Sequence, residues 1–63
     1  MTSAQAITNI RKIKSSFKSS LLEIVSISEW KVEEWYEIIV FLYKDKKYEY
    51  RSTASDAWID KIS

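Results

Sequence analysis

The sequence predicts an α+β domain in the order α-β-β-β-α. This is a three-stranded antiparallel meander with an N-terminal amphipathic helix and a short C-terminal helix. Three observations carry the expectation. Apolar residues recur at helical spacing near the start, the middle is rich in Ile, Val, Trp and Tyr with strand-like alternation, and helical spacing returns after Thr53. No linker, repeat or low-complexity tract interrupts the chain, so residues 1–63 form a single small domain.

The first helix is expected over residues 3–18. Ile7, Ile10, Ile13, Lys14 and Phe17 fall on one stripe, which Ala6 extends backwards, and Ser3 is the expected N-cap. The Ser19–Ser20 pair ends the pattern without the usual glycine. Strands follow over residues 21–30, 35–43 and 47–52, the second being apolar at both parities. The turns Lys31–Glu34 and Lys44–Lys47 contain neither Gly nor Asn, which argues for four-residue connections over tight primed turns. Thr53-x-x-Asp56 has the spacing of a capping box, and Ala54, Ala57, Trp58 and Ile62 supply a last helical stripe.

Four-residue turns would set the register. Trp30 then faces Trp35, Ile24 faces Phe41, Leu22 faces Tyr43, Tyr43 faces Tyr48 and Phe41 faces Tyr50. One face carries Leu22, Ile24, Trp30, Trp35, Ile39, Phe41, Tyr43, Tyr48 and Tyr50. The other carries Leu21, Val25, Ile27, Ile38, Val40 and Leu42, rimmed by Glu23, Glu49 and Arg51. Antiparallel sheets usually turn one wet face to solvent. Here both faces are apolar.

Composition removes most chemistry. The chain has no Gly, Pro, Cys or His. It therefore lacks phosphate-cradling glycine loops, the thiolate nucleophile, the commonest general base and the usual zinc ligands. No catalytic residue, metal site or cofactor is expected. Ser15-x-x-Lys18 matches a penicillin-recognising pattern, yet the companion motifs of that chemistry are missing. Glu33, Glu34 and Glu37 read as a solvated charge cluster. Tyr43, Tyr48 and Tyr50 beside Lys47 could stack bases, but so small a chain needs its aromatics for the core.

No stretch is long enough to cross a membrane as a helix, and no membrane partner is expected. The basic, Ser-rich start has the look of a transit peptide. Losing it would leave about 43 residues, near the limit for folding alone, so a cytoplasmic, intracellular protein is expected. A core of this size supplies only about 3–5 kcal/mol, and without disulfide or metal the remaining supports are dense packing and oligomerisation.

The expected function is therefore a non-catalytic protein-interaction domain. It would form a homodimer, or meet another protein, through the uncovered apolar face of Val25, Ile27, Ile38, Val40 and Leu42. The alternative is a small nucleic-acid-binding regulator. Net charge is only +1, but Arg11, Lys12, Lys14 and Lys18 crowd the first helix, and Lys46 and Lys47 could extend that footprint.

The α-β-β-β-α order resembles that of the double-stranded-RNA-binding domain. That family has a lysine-rich start to its second helix and a loop with Gly and His. Here Ser52-Thr53-Ala54-Ser55-Asp56 and Lys31-Val32-Glu33-Glu34 stand in those places, so no functional residue carries over. Ile38-x-Val40-x-Leu42, then Tyr48-x-Tyr50 and a short helix, is similar to the KTSC domain, whose turn glycine is replaced by Lys44–Lys47.

Overall fold

The computed structural model describes residues 1–31 and 35–62, with the side chains of 30, 31 and 35 left aside. It is an α+β fold: one helix, α1 (Ser3–Ile13), a single 3₁₀ turn (Ser19–Leu21), and four strands. These are β1 (Leu22–Lys31), β2 (Trp35–Tyr43), β3 (Lys46–Ser52) and β4 (Ala57–Lys61), paired antiparallel in chain order. Of the expected turn Lys31–Glu34, Lys31 instead ends β1 paired with Trp35. Residues 32–34, with Glu33 and Glu34, lie outside the described residues, as does the sheet face taken by the Trp30 and Trp35 side chains.

The helix starts one residue earlier than Ser3 would set it. Thr2 is the N-cap: its hydroxyl accepts from the Gln5 N–H at 3.2 Å while the Gln5 side chain accepts from the Thr2 N–H at 2.9 Å. This reciprocal capping box outcompetes Ser3, which has no such partner at N3. The helix also ends sooner, at Lys14, whose N–H bonds to the Ile10 carbonyl. Ser15 and Ser16 are weak helix formers. A turn folds the chain back, with the Phe17 N–H on the Lys14 carbonyl, and drops Phe17 into the core from outside the helix.

That core lies between α1 and one sheet face. It consists of Ala6, Ile10, Phe17, Leu22, Ile39, Phe41, Tyr43 and Tyr50, with Ile7, Ile24, Ile27, Tyr48 and Ile59 packed against it. The ring of Phe17 lies 4.5 Å from Tyr43 and meets Phe41 edge-on at 5.9 Å, while Phe41 stacks on Tyr48 at 5.5 Å. The three tyrosines therefore serve the core, not a stacking platform.

The expected C-terminal helix is a fourth strand. The Thr53 hydroxyl does accept from the Asp56 N–H at 3.2 Å, as a cap would, and from Ser55 N–H at 3.4 Å. The same bonds close a turn, completed by Thr53 N–H on the Asp56 carbonyl at 2.8 Å. Beyond it, pairing with the open edge of β3 satisfies the inward-pointing backbone groups of Ala57–Lys61, and Trp58 and Ile59 are strand formers. The described residues thus follow α-β-β-β-β, without the C-terminal helix on which both resemblances above depended.

Two register features were not expected. Ile24 pairs with Phe41 and Ser26 with Val40, so Val25 is an unpaired β-bulge residue. The bulge shifts parity: even positions Leu22 and Ile24 face the helix before it, and odd position Ile27 faces it afterwards. Trp30 consequently pairs with Tyr36, not Trp35. At the β2–β3 hairpin, Tyr43 pairs with Lys46 across the two residues Lys44 and Asp45, which take φ of 51° and 64°. This left-handed turn replaces the four-residue connection, moving Tyr48 opposite Phe41 and Tyr50 opposite Ile39. The slip is two residues, so every face assignment on β3 survives.

Strand twist explains the turn, because only primed turns match it. Holding two non-glycine residues there costs about 1–2 kcal/mol each in the left-handed region. Replacing Lys44→Asn with Asp45→Gly is expected to raise stability by about 1 kcal/mol. Thermal unfolding should show this as a midpoint about 4–8 °C higher. An unchanged or lower midpoint would contradict the left-handed turn.

Candidate functional site

Two surfaces could bring a partner or ligand to the chain: the sheet face opposite α1, and a cleft running along one side of the helix.

The open face is ordered by the strand register. Its first row is Glu23–Leu42–Lys47, its second Ser26–Val40–Glu49–Asp60, its third Ser28–Ile38–Arg51–Trp58. Ile38, Val40 and Leu42 form an apolar line down the middle of β2, each half-buried by its neighbours alone. Tyr36 continues the line, and its hydroxyl takes a 3.4 Å bond from the Arg51 guanidinium. Arg51 also pairs with Glu49, next to it on the same strand face. Trp58 lies across from Arg51 with 38% of its surface exposed.

Of the five expected interface residues, Ile38, Val40 and Leu42 share this face. Val25 stands at the bulge, 52% exposed. Ile27 does not belong: the bulge turns it toward α1, where it packs against the core. Trp58 was missed, because a helical assignment for its segment gave it no place on the sheet.

The cleft, about 700 Å³ and open to solvent, lies between α1 and the β3–β4 turn. Gln5, Asn9 and Lys12 border it on the helix side, Ser52 and Thr53–Ala57 on the other, with Glu29, Glu37 and Tyr50 beneath. Glu29 and Glu37 are cross-strand partners. Glu37 is only 2% exposed, so it is not part of a solvated cluster. Burial raises its pKa above the ordinary 4.5, and the Glu29 charge raises it further. A hydrogen bond from Asn9 and the terminal ammonium, which lies 2.9 Å from Glu29, act in the opposite sense. Parity was the signal for its burial, since Glu37 precedes Ile39 and Phe41 at spacing two.

A carboxylate with a raised folded-state pKa binds its proton more tightly when folded. Its contribution favours folding below pH 4.5 and is lost as pH rises through the higher folded value. Glu37→Gln is therefore expected to be more stable than the parent at pH 7, with the difference shrinking toward pH 4. Urea titrations across that range measure it, and a variant less stable at pH 7 would refute it.

Of the basic residues expected on the first helix, only Arg11 and Lys12 lie within α1. Arg11 is exposed, but its Nε is tied to the Phe17 carbonyl, to which it donates at 2.9 Å. Lys12 borders the cleft. Lys14 lies at the helix end with its ammonium 5.3 Å from the Phe17 ring centre, and Lys18 lies beyond the helix, its N–H on the Tyr43 hydroxyl at 3.3 Å. Lys46 opens β3 opposite Tyr43, and Lys47 joins the open face beside Leu42. Lysines thus gather around the Tyr43 end of the sheet, but the helix face itself is broken.

No family model matches the chain, and neither does any curated protein or solved structure. Among the described residues no helix is long and apolar enough to cross a membrane, and no group of three or more Asp or Glu could hold a metal ion.

Proposed function

We propose that the protein is a non-catalytic interaction domain that self-associates through the apolar centre of its open sheet face. One observation carries this. Ile38, Val40 and Leu42 line the central strand, while the core cluster and the only helix among the described residues lie on the other side. An antiparallel sheet with a free face would be expected to carry polar residues along such a line. Burying it against a second copy would also add to the modest core of a chain that has no cysteine for a disulfide.

The face is roughly 20 Å on each side. That is below the about 800 Å² per partner of a standard interface. A dimer that dissociates on dilution is therefore expected. Light scattering coupled to gel filtration should give a dimer mass at tens of micromolar and a falling mass below it. A monomer mass at the high end overturns the proposal.

A second reading, contact with nucleic-acid phosphates, rests on the lysines near Tyr43, where the Lys44 ammonium lies 5.5 Å from the ring centre. Absence of DNA or RNA binding at low salt removes it.

A further inference from the structure

Resting on that proposal, we infer that the partner is a second copy related by a two-fold axis running along β2, which places Glu23 of each protomer over Lys47 of the other. The argument is charge complementarity. Leu42 separates Glu23 on β1 from Lys47 on β3, two strand spacings or about 10 Å apart. Both are exposed, and among the described residues neither has an ion-pair partner within the protomer. The other two charges flanking β2, Glu49 and Arg51, already satisfy each other.

A face-to-face dimer can place its two-fold axis along the strands or across them. The axis along β2 keeps each row in place and exchanges columns, so that β1 meets β3. Glu23 then meets Lys47 twice by symmetry, Ser26 meets Glu49, Ser28 meets Arg51, and the apolar line of β2 packs on its own copy. The strands of the two sheets would lie within about 30° of each other, the aligned arrangement of sandwiches.

The axis across the strands keeps columns and reverses rows about Val40. Lys47 would then meet Arg51, Glu49 would meet Glu49 and Asp60 would meet Asp60. Like charges juxtaposed at an interface disfavour that arrangement strongly. Sliding the first arrangement sideways by one strand would set Lys47, Glu49 and Arg51 on Leu42, Val40 and Ile38, burying charge on apolar surface.

The test is a charge swap read by sedimentation equilibrium on the full chain. Glu23→Lys and Lys47→Glu should each weaken the dimer roughly tenfold, and the loss should shrink in high salt. The double variant Glu23→Lys/Lys47→Glu should restore the parent affinity, which a merely local effect of either charge would not. Circular dichroism should show all three folded, since both side chains are exposed. If the parent dimerises but the swap brings no rescue, the axis is wrong and self-association stands. If the parent is monomeric at tens of micromolar, both fall.

Discussion

Phe41→Ala leaves the chain largely unfolded at 25 °C. Phe41 is fully buried at the middle of the central strand and touches the rings of Phe17 and Tyr48. Truncating a buried Phe to Ala costs about 3–5 kcal/mol, through lost transfer energy and the cavity left behind. A core of this size contributes no more than about 3–5 kcal/mol in total. Phe17 enters the core from a loop and meets the Phe41 ring edge-on, so part of its packing goes too. Phe41→Leu keeps most of the volume and should cost less than about 1.5 kcal/mol. Urea unfolding followed by circular dichroism separates the two variants. A cooperative transition in Phe41→Ala near the parent midpoint would show that the helix is not packed on this strand.

Val40→Lys should abolish the dimer while sparing the protomer. Val40 pairs with Glu49 across β3 and Ser26 across β1. In a single copy a lysine there gains an opposite charge on the neighbouring strand, a mildly favourable cross-strand pair. In the face-to-face arrangement it brings two ammonium groups together at the symmetry axis, within the apolar line of Ile38 and Leu42. Loss of dimer of at least a hundredfold is expected in sedimentation equilibrium, with thermal unfolding of dilute protein little changed. Unaltered dimer affinity would move the interface off this face. Val40→Thr, which keeps the branched shape, should fall between.

Much of this architecture could be read from the residues. Ala6, Ile7 and Ile10 of the α1 stripe and the three strands over the middle of the chain follow from spacing. The burial of Tyr43 and Tyr50 follows from the need of so small a core for large side chains. Ile13 is exposed and Phe17 packs from outside the helix. What escaped was local competition. Thr53-x-x-Asp56 offers the same side-chain bonds to a helix start and to a turn, and only the unpaired edge of β3 decides between them. Lys44–Asp45 lacks the residues that announce a left-handed turn, yet strand twist and the aromatic stack of Phe41 on Tyr48 hold it there. The open face was half legible. Ile38, Val40 and Leu42 came from parity along β2, whereas Ile27 was misplaced because nothing in the residues 22–28 signals an unpaired valine.

That valine gives the sheet a tolerance in chain length. Deleting one residue from a strand ordinarily throws every later side chain to the opposite face. Deleting Val25 would do the reverse: Ile24 still meets Phe41, Ser26 still meets Val40, and plain alternation runs unbroken from Leu22 to Lys31. The molecule thus carries a spare residue, one place in β1 where the chain can shorten and keep every cross-strand pair. What it would lose is the bend in its outermost strand, leaving a straighter edge on which another strand could build.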